Sequence, residues 1–149
     1  MSRKVWGNIT WRLFHTMSLC INEDKDIPNG IECIRTICKH LPCPYCSNEA
    51  LGILKKINIA SIKTKDDFKR FVHFFHNKVN LKLKAPIIEY ESMDQLHTDS
   101  LNKILNEFFK VYGNIQHNTN MMMYSFHREI IMSRTRKYFL DNRTLYRFN

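Results

Sequence analysis

"TKDDFKRFVHFFHNKVNLKLK" (residues 64–84) reads as one helix with two working faces. Thr64 is an N-cap residue type, and Asp66 and Asp67 stand in the first turn, where the positive end of the helix dipole favours carboxylates. The helix is expected to run to about Leu83. Phe68, Phe71, Val72, Phe75 and Val79 recur at helical spacing as a broad apolar face. Beside them, His73, His76, Asn77, Asn80 and Lys84 fall at i, i+3, i+4, i+7 and i+11, a single stripe of hydrogen-bonding groups. Exposed stripes ordinarily carry Glu and Lys. Two readings stand for this one: a solvated face whose histidines find local partners, or a surface that holds a polar ligand against a helical bundle.

The flanking sequence is helical too. Residues 4–20 place Trp6, Ile9, Leu13, Met17 and Cys20 on one stripe and Trp11, His15 and Ser18 on a second. "NEDKDIPNG" (22–30) reads as a polar break. A second helix is expected from about Ile31 to Lys39, ended by Pro42 and Pro44. A third starts within "CPYC" (43–46) and carries Ala50, Leu51, Ile53 and Leu54 towards Ile57. A fifth is expected around Ser92–Tyr112. "GNIQHNTN" (113–120) reads as a further break, followed by one more helix and a basic tail. "MMMYSF" (121–126) reads as core or as a contact for a partner helix. Only "APIIEYE" (85–91) is strand-like. There is no internal repeat, no low-complexity run and no strand–helix alternation, so the expected fold class is all-α.

Length and composition agree. The 149 residues suffice for one domain with its own core. Hydrophobic residues make up 44% and charged residues 25%, with four Gly and four Pro, a soluble and helix-leaning balance. The net charge of +9 favours an anionic partner: nucleic acid, a phosphate-bearing cofactor or an acidic protein. The N-terminus lacks the apolar stretch of a signal peptide, and no run approaches a membrane span. A soluble, cytoplasmic protein is expected. Five cysteines, Cys20, Cys33, Cys38, Cys43 and Cys46, are too few and odd in number for a secreted disulfide framework.

Three chemistries compete for Cys43 and Cys46. A glutaredoxin-like thiol–disulfide exchange protein shares the four letters CPYC, but needs the pair to follow a strand inside a parallel sheet. A zinc module would take Cys43, Cys46, His73 and His76 as a Cys2His2 set, across a gap far longer than a finger's. A flavin dithiol oxidase needs the pair at a helix N-terminus, where the dipole favours thiolate, and aromatic and His/Asn groups on other helices to hold the ring.

"WGNITWRLFHTMS" (6–18), "LPCPYC" (41–46) and "FFHNKVNLKL" (74–83) together resemble, in order and spacing, the Erv/ALR FAD-linked sulfhydryl oxidases. The likeness covers about residues 4–90 and is greatest to members encoded by large DNA viruses. It implies a four-helix bundle with a short fifth helix, FAD at the bundle mouth and a homodimer. A core of residues 1–92 would be followed by the fifth helix and a basic extension, 93–149. Carried over residue by residue, the resemblance implies Cys43 and Cys46 as the catalytic pair, and Gly7, Trp11, His15, Tyr45, His76, Asn77, Val79 and Asn80 around FAD. Lys82 and Lys84 would face its phosphates and Tyr90 would border the adenine. No metal is expected. The family pattern continues to Gly-Lys-Pro after "HNxVN"; here Lys84 and Ala85 precede Pro86.

The implied activity is disulfide formation in protein substrates. Electrons would pass through the CxxC disulfide to flavin and then to O2, giving H2O2. The donor would be a dithiol protein substrate or a thioredoxin-like protein, in the host cytoplasm and the virion if the chain is viral. Cys43 is expected to meet substrate. Cys46, taken as one residue into the third helix, is expected to lie nearest the flavin and to have the lower thiol pKa. The dimer is expected to bury Ile9, Leu13 and Ile34. Cys20 reads as a small buried hydrophobe. "SRTRKYFLDNRTLYRF" (133–148) reads as a solvated basic tail rather than a nucleic-acid site.

Overall fold

Thr64 does cap the helix it precedes. Its Oγ1 accepts the Asp67 N–H at 3.0 Å, and Asp67 Oδ2 accepts the Thr64 N–H at 3.1 Å, so each satisfies an amide the helix leaves open. The computed structural model describes residues 3–114 and 122–149. The capped helix is α4 (Lys65–Leu83). It is preceded by α1 (Arg3–Cys20), α2 (Ile27–Lys39) and α3 (Pro44–Lys55), and followed by α5 (Met93–Leu96), α6 (Leu101–Gly113) and α7 (Met122–Asp141). Short 3-10 turns occur at Asp24–Asp26, Ile59–Ser61 and Tyr90–Ser92. The all-α expectation holds: among the described residues β-pairing is limited to an isolated antiparallel bridge between Ile21 and Tyr146. Helices α1 to α4 supply the four-helix part, α5 the short fifth helix, and α6 and α7 the extension. No helix among the described residues is long and apolar enough to cross a membrane.

Helix α1 is the axis of the packing. Every residue from Leu13 to Ser18 is buried, because α4 packs on one side and α6 on another. That is why α1 carries two apolar stripes rather than one. The α1–α6 seam is closed by a buried 2.7 Å hydrogen bond between the hydroxyls of Thr10 and Tyr112. At its edge, Arg12 bridges Asp99 at 2.8 Å and Glu107 at 2.6 Å.

Several sequence expectations need correction. Helix α2 starts at Ile27, four residues before the expected Ile31. Pro28 belongs to its first turn, where a missing N–H costs nothing. Gly30 lies within the helix, and its missing Cβ makes room for the core: a Cβ there would come within 3.0 Å of the Tyr146 hydroxyl and 3.2 Å of the Phe68 ring. The expected helix over Ser92–Tyr112 is two helices. It breaks after Leu96 because Ser100 starts a new one, its Oγ accepting the Lys103 N–H at 3.2 Å. "APIIEYE" forms no strand, since side chains of α4 take its backbone groups, as detailed below.

Ile9, Leu13 and Ile34 are not free to form a dimer face. They are 3%, 0% and 0% exposed within the single chain. The physical reason is the extension: α6 puts Leu101, Ile104, Leu105 and Phe108 into the core that α1 lines, and α7 packs on α2. Nor is 133–148 a solvated tail. Thr135, Phe139 and Tyr146 are buried, and the backbone of Arg147 donates to Cys20 O at 2.8 Å. The Leu145 carbonyl accepts the Asn22 N–H at 2.8 Å. The aromatic half of the interleaved pattern is core, and the basic half faces out. The break expected at 113–120 and the side chains of 121–125 in the Met-rich run lie outside the described residues, apart from Gly113 and Asn114.

Candidate functional site

Helix α3 begins on a cysteine. Cys43 is its N-cap, in extended conformation at φ −119° and ψ 111°, and Pro44 occupies the first turn. The Cys43 Sγ accepts the Cys46 N–H at 3.1 Å. Cys43 and Cys46 are bonded to each other, with their Cα atoms 5.1 Å apart. Ser47 Oγ accepts the Leu41 N–H at 3.0 Å and closes the loop that carries the pair. Cys46 is therefore the third residue of the helix, not the first, and its amide points at the sulfur of Cys43. Were the pair reduced, the helix start and this amide would both favour negative charge on the Cys43 sulfur. Tyr45 stands out of this turn, 65% exposed.

The C-terminal half of α4 is tied to this turn. Lys82 pairs with Glu49, three residues past Cys46 on α3. Lys82 is thus partly neutralised, which reduces what it offers an anion. Lys84 ends α4 in the left-handed region at φ 56°, a conformation that favours glycine and the place where the family pattern has one.

The stripe on α4 divides its work. Asn77 brackets Ile88, donating from Nδ2 to its carbonyl at 2.9 Å and accepting its N–H on Oδ1 at 3.0 Å. His73 Nε2 donates to the same carbonyl at 2.5 Å. Asn80 Nδ2 donates to Pro86 O at 3.2 Å. These three residues fold the segment after α4 back onto the helix, so local satisfaction accounts for part of the stripe. His76 turns the other way, towards α1. Its ring stacks on Trp11 with centroids 4.2 Å apart and planes 10° apart, and its Nδ1 lies 2.9 Å from His15 Nε2. Val79 is half-buried against the core. A Cβ at Gly7 would meet nothing within 4 Å, so space is open beside it. Tyr90 lies over the N-terminal half of α4, its hydroxyl donating to Asp66 at 2.8 Å and its ring facing the edge of His73.

His97 joins this cluster unannounced by the sequence. Its ring stacks on His15 with centroids 4.4 Å apart. It sits inside the stretch read as a continuous helix; Ser100, the N-cap of α6, is the residue type that could have marked a turn just after it. The residues weighed as zinc ligands are not assembled. Cys43 is bonded to Cys46 and His73 to Ile88, and no group of three or more metal-ligating side chains occurs among the described residues.

Burial sets the protonation of the cluster. Desolvation first, then the neighbouring imidazoles, push His15 down to about 2 and His76 down to about 4. His97 is lowered by burial and by the Arg12 charge. All three are neutral near pH 7 and present flat, uncharged rings. Because the unfolded chain binds these protons with an ordinary pKa of about 6.5, it gains protons first as pH falls. Their contribution to stability is complete above about 6.5 and is lost through the window down to about 4 for His76. The melting temperature is expected to fall steadily from pH 7 to pH 4.5, with a shallower slope in His76→Gln. A flat profile for the parent chain would contradict the neutral cluster.

Comparison with known proteins adds the following. The model of the Erv1 / Alr family matches residues 8–98. The FAD-linked sulfhydryl oxidase of African swine fever virus (isolate Pig/Kenya/KEN-50/1950) is 28% identical over 103 residues, covering 67% of this chain and 86% of that protein. The putative FAD-linked sulfhydryl oxidase 347L of Invertebrate iridescent virus 6 is 29% identical over 93 residues, covering 56% of this chain and 84% of that protein. No solved structure matches the chain significantly.

Proposed function

This chain belongs to the Erv1/Alr family, and from that premise we propose that it is a flavin-linked thiol oxidase whose working disulfide is Cys43–Cys46 and whose cofactor is FAD. The observation that carries the reading is the dithiol at the N-terminus of α3, held by the Lys82–Glu49 pair beside the helix that presents His76 to Trp11 and His15.

The residues suit FAD. Trp11 and His76, both half-buried, offer neutral ring surface to a flat aromatic group, buried His15 holds His76 through their 2.9 Å contact, and open space lies beside Gly7. Positive charge for the phosphates comes from Lys84, and from Lys82 to the extent that Glu49 leaves it. Val79 and Tyr45 would border the flavin ring. Asn77 and Asn80 would act mainly by holding residues 86–88 against α4, with Tyr90, two residues on, as the candidate for the adenine side. Leu101, Ile104 and Phe108 of α6 and Ile131 and Phe139 of α7 belong to the same core as α1 to α4. A homodimer, where one forms, uses a surface other than Ile9, Leu13 and Ile34.

In the reaction, a substrate thiolate attacks Cys43 Sγ, the Cys43–Cys46 bond breaks and Cys46 leaves as thiolate. The second substrate thiolate then attacks its own bridged sulfur and expels Cys43. The Cys46 N–H and the helix dipole stabilise that leaving thiolate. Substrate leaves as a disulfide, and two electrons remain on the enzyme as a dithiol. When bound, FAD would supply the two-electron acceptor for re-forming the Cys43–Cys46 disulfide, with O2 as the final acceptor and H2O2 as its product.

The purified protein should be yellow and release FAD on denaturation. His76→Ala should lower FAD occupancy several-fold while keeping helical content. A colourless preparation that takes up no added FAD would overturn the reading.

A further inference from the structure

Resting on the thiol-oxidase reading, we propose that the C-terminal end of α2 and the part of α7 that carries Phe126 and His127 form a docking surface for the protein dithiol, and that it selects dithiol segments flanked by acidic residues. The placement comes from a histidine pair. His127, in the first turns of α7, brings its Nδ1 to 3.0 Å from Nδ1 of His40, the C-cap of α2. His40 is three residues before Cys43, so the chain keeps their Cα atoms within about 11 Å. The start of α7 is thereby anchored beside the loop that presents the working disulfide.

What this surface shows to solvent is apolar and basic. Phe126, next to His127, is 67% exposed although its ring meets the His127 ring edge-on with centroids 6.2 Å apart. Tyr45, between the two cysteines, is 65% exposed. A single large side chain at the surface is ordinary; here one exposed aromatic stands between the two cysteines and the other on the helix that His127 ties to His40, as a surface for a macromolecular substrate requires. Exposed Lys39 and Arg134 lie close enough to His40 for their charges to act on it. With a net charge of +9 on the chain, the field around the disulfide steers negative segments towards Cys43. The occupant that matches is a polypeptide segment with a dithiol, carboxylates on either side of it and an apolar side chain for Phe126.

The test uses the full-length, FAD-loaded protein and three substrates. Two are synthetic peptides sharing one dithiol, with Glu flanks in one and Lys flanks in the other; the third is dithiothreitol, too small to touch the surface. Wild type should prefer the Glu peptide. Phe126→Ala should lower kcat/KM for the Glu peptide about ten-fold and leave dithiothreitol oxidation within about two-fold. Lys39→Glu should reverse the preference between the two peptides. Equal use of the peptides by wild type, or peptide kinetics unmoved by both variants, would overturn the docking surface and leave the oxidase reading standing. Parallel loss of dithiothreitol oxidation in Phe126→Ala would mark the residue as structural and also overturn it. Conversion of a dimer to a monomer by Phe126→Ala in light scattering would assign the patch to a second copy instead. A wild-type protein that oxidises none of the three would defeat the oxidase reading itself.

Discussion

Cys43→Ser and Cys46→Ser should both lose turnover of dithiol substrates by about a thousand-fold or more, and the single thiol each retains should behave differently. The loss follows from the chemistry, since either change removes the disulfide that accepts the electrons. The difference follows from the helix start. In Cys46→Ser, the remaining Cys43 keeps the N-cap position and the N–H of residue 46 at its sulfur. Its alkylation by iodoacetamide should titrate with a midpoint well below the ordinary thiol value of about 8.5. In Cys43→Ser, the remaining Cys46 is three residues into α3 and should titrate higher. The background is low, because Cys20, Cys33 and Cys38 are buried and burial raises all three thiols. Equal midpoints, or a lower one for Cys46, would contradict the assignment of Cys43 as the stabilised thiolate.

Phe108→Ala should destabilise the chain by about 3–5 kcal/mol, the range for removing a fully buried aromatic ring. Phe108 is 0% exposed and packs on Tyr112 with ring centroids 4.5 Å apart, in the core that Ile9 and Leu13 of α1 also line. The loss should appear in a single cooperative transition that includes α1 and α4. If residues 93–149 were a separate appendage, the variant would melt the C-terminal helices alone and leave flavin binding intact at the parent midpoint. Denaturant unfolding followed by far-UV circular dichroism and by flavin fluorescence separates the two outcomes. The wide burial of α1 leads us to expect coincident transitions.

Much of this architecture was legible before the structure. Helices α1 and α4 announced themselves through sustained 3.6-residue periodicity, and the Thr64 cap with Asp67 marked the start of α4 to the residue. The family blocks imply Trp11, His15 and His76 in one place, and the structure stacks His76 on Trp11 and brings it to His15 through a 2.9 Å ring-nitrogen contact. What stayed hidden depended on tertiary contact. Pro28 and Gly30 looked like a break because their local signals are those of a turn; in the fold, Pro28 is a helix-start residue and Gly30 makes room for Tyr146. His97 has no periodic signature and gains its place only by stacking on His15. The Arg/Lys–aromatic alternation at 133–148 reads as surface from composition, yet Phe139 and Tyr146 supply core that the basic residues cover. The polar stripe of α4 was read as one surface, whereas hydrogen bonds divide it between the bundle centre and the backbone of residues 86–88.

The central claim, that electrons from a dithiol enter through Cys43 and Cys46 and reach bound flavin, is tested most directly by anaerobic reduction. Dithiothreitol is added to the purified, FAD-loaded protein under argon, the visible flavin band is followed, and air is then admitted. The band should bleach, and it should return in air with hydrogen peroxide formed in step with the electrons delivered. The same addition to Cys43→Ser should leave the band unchanged on that timescale. Bleaching that proceeds equally fast without Cys43, or a wild-type band that dithiol does not reduce, would contradict the account.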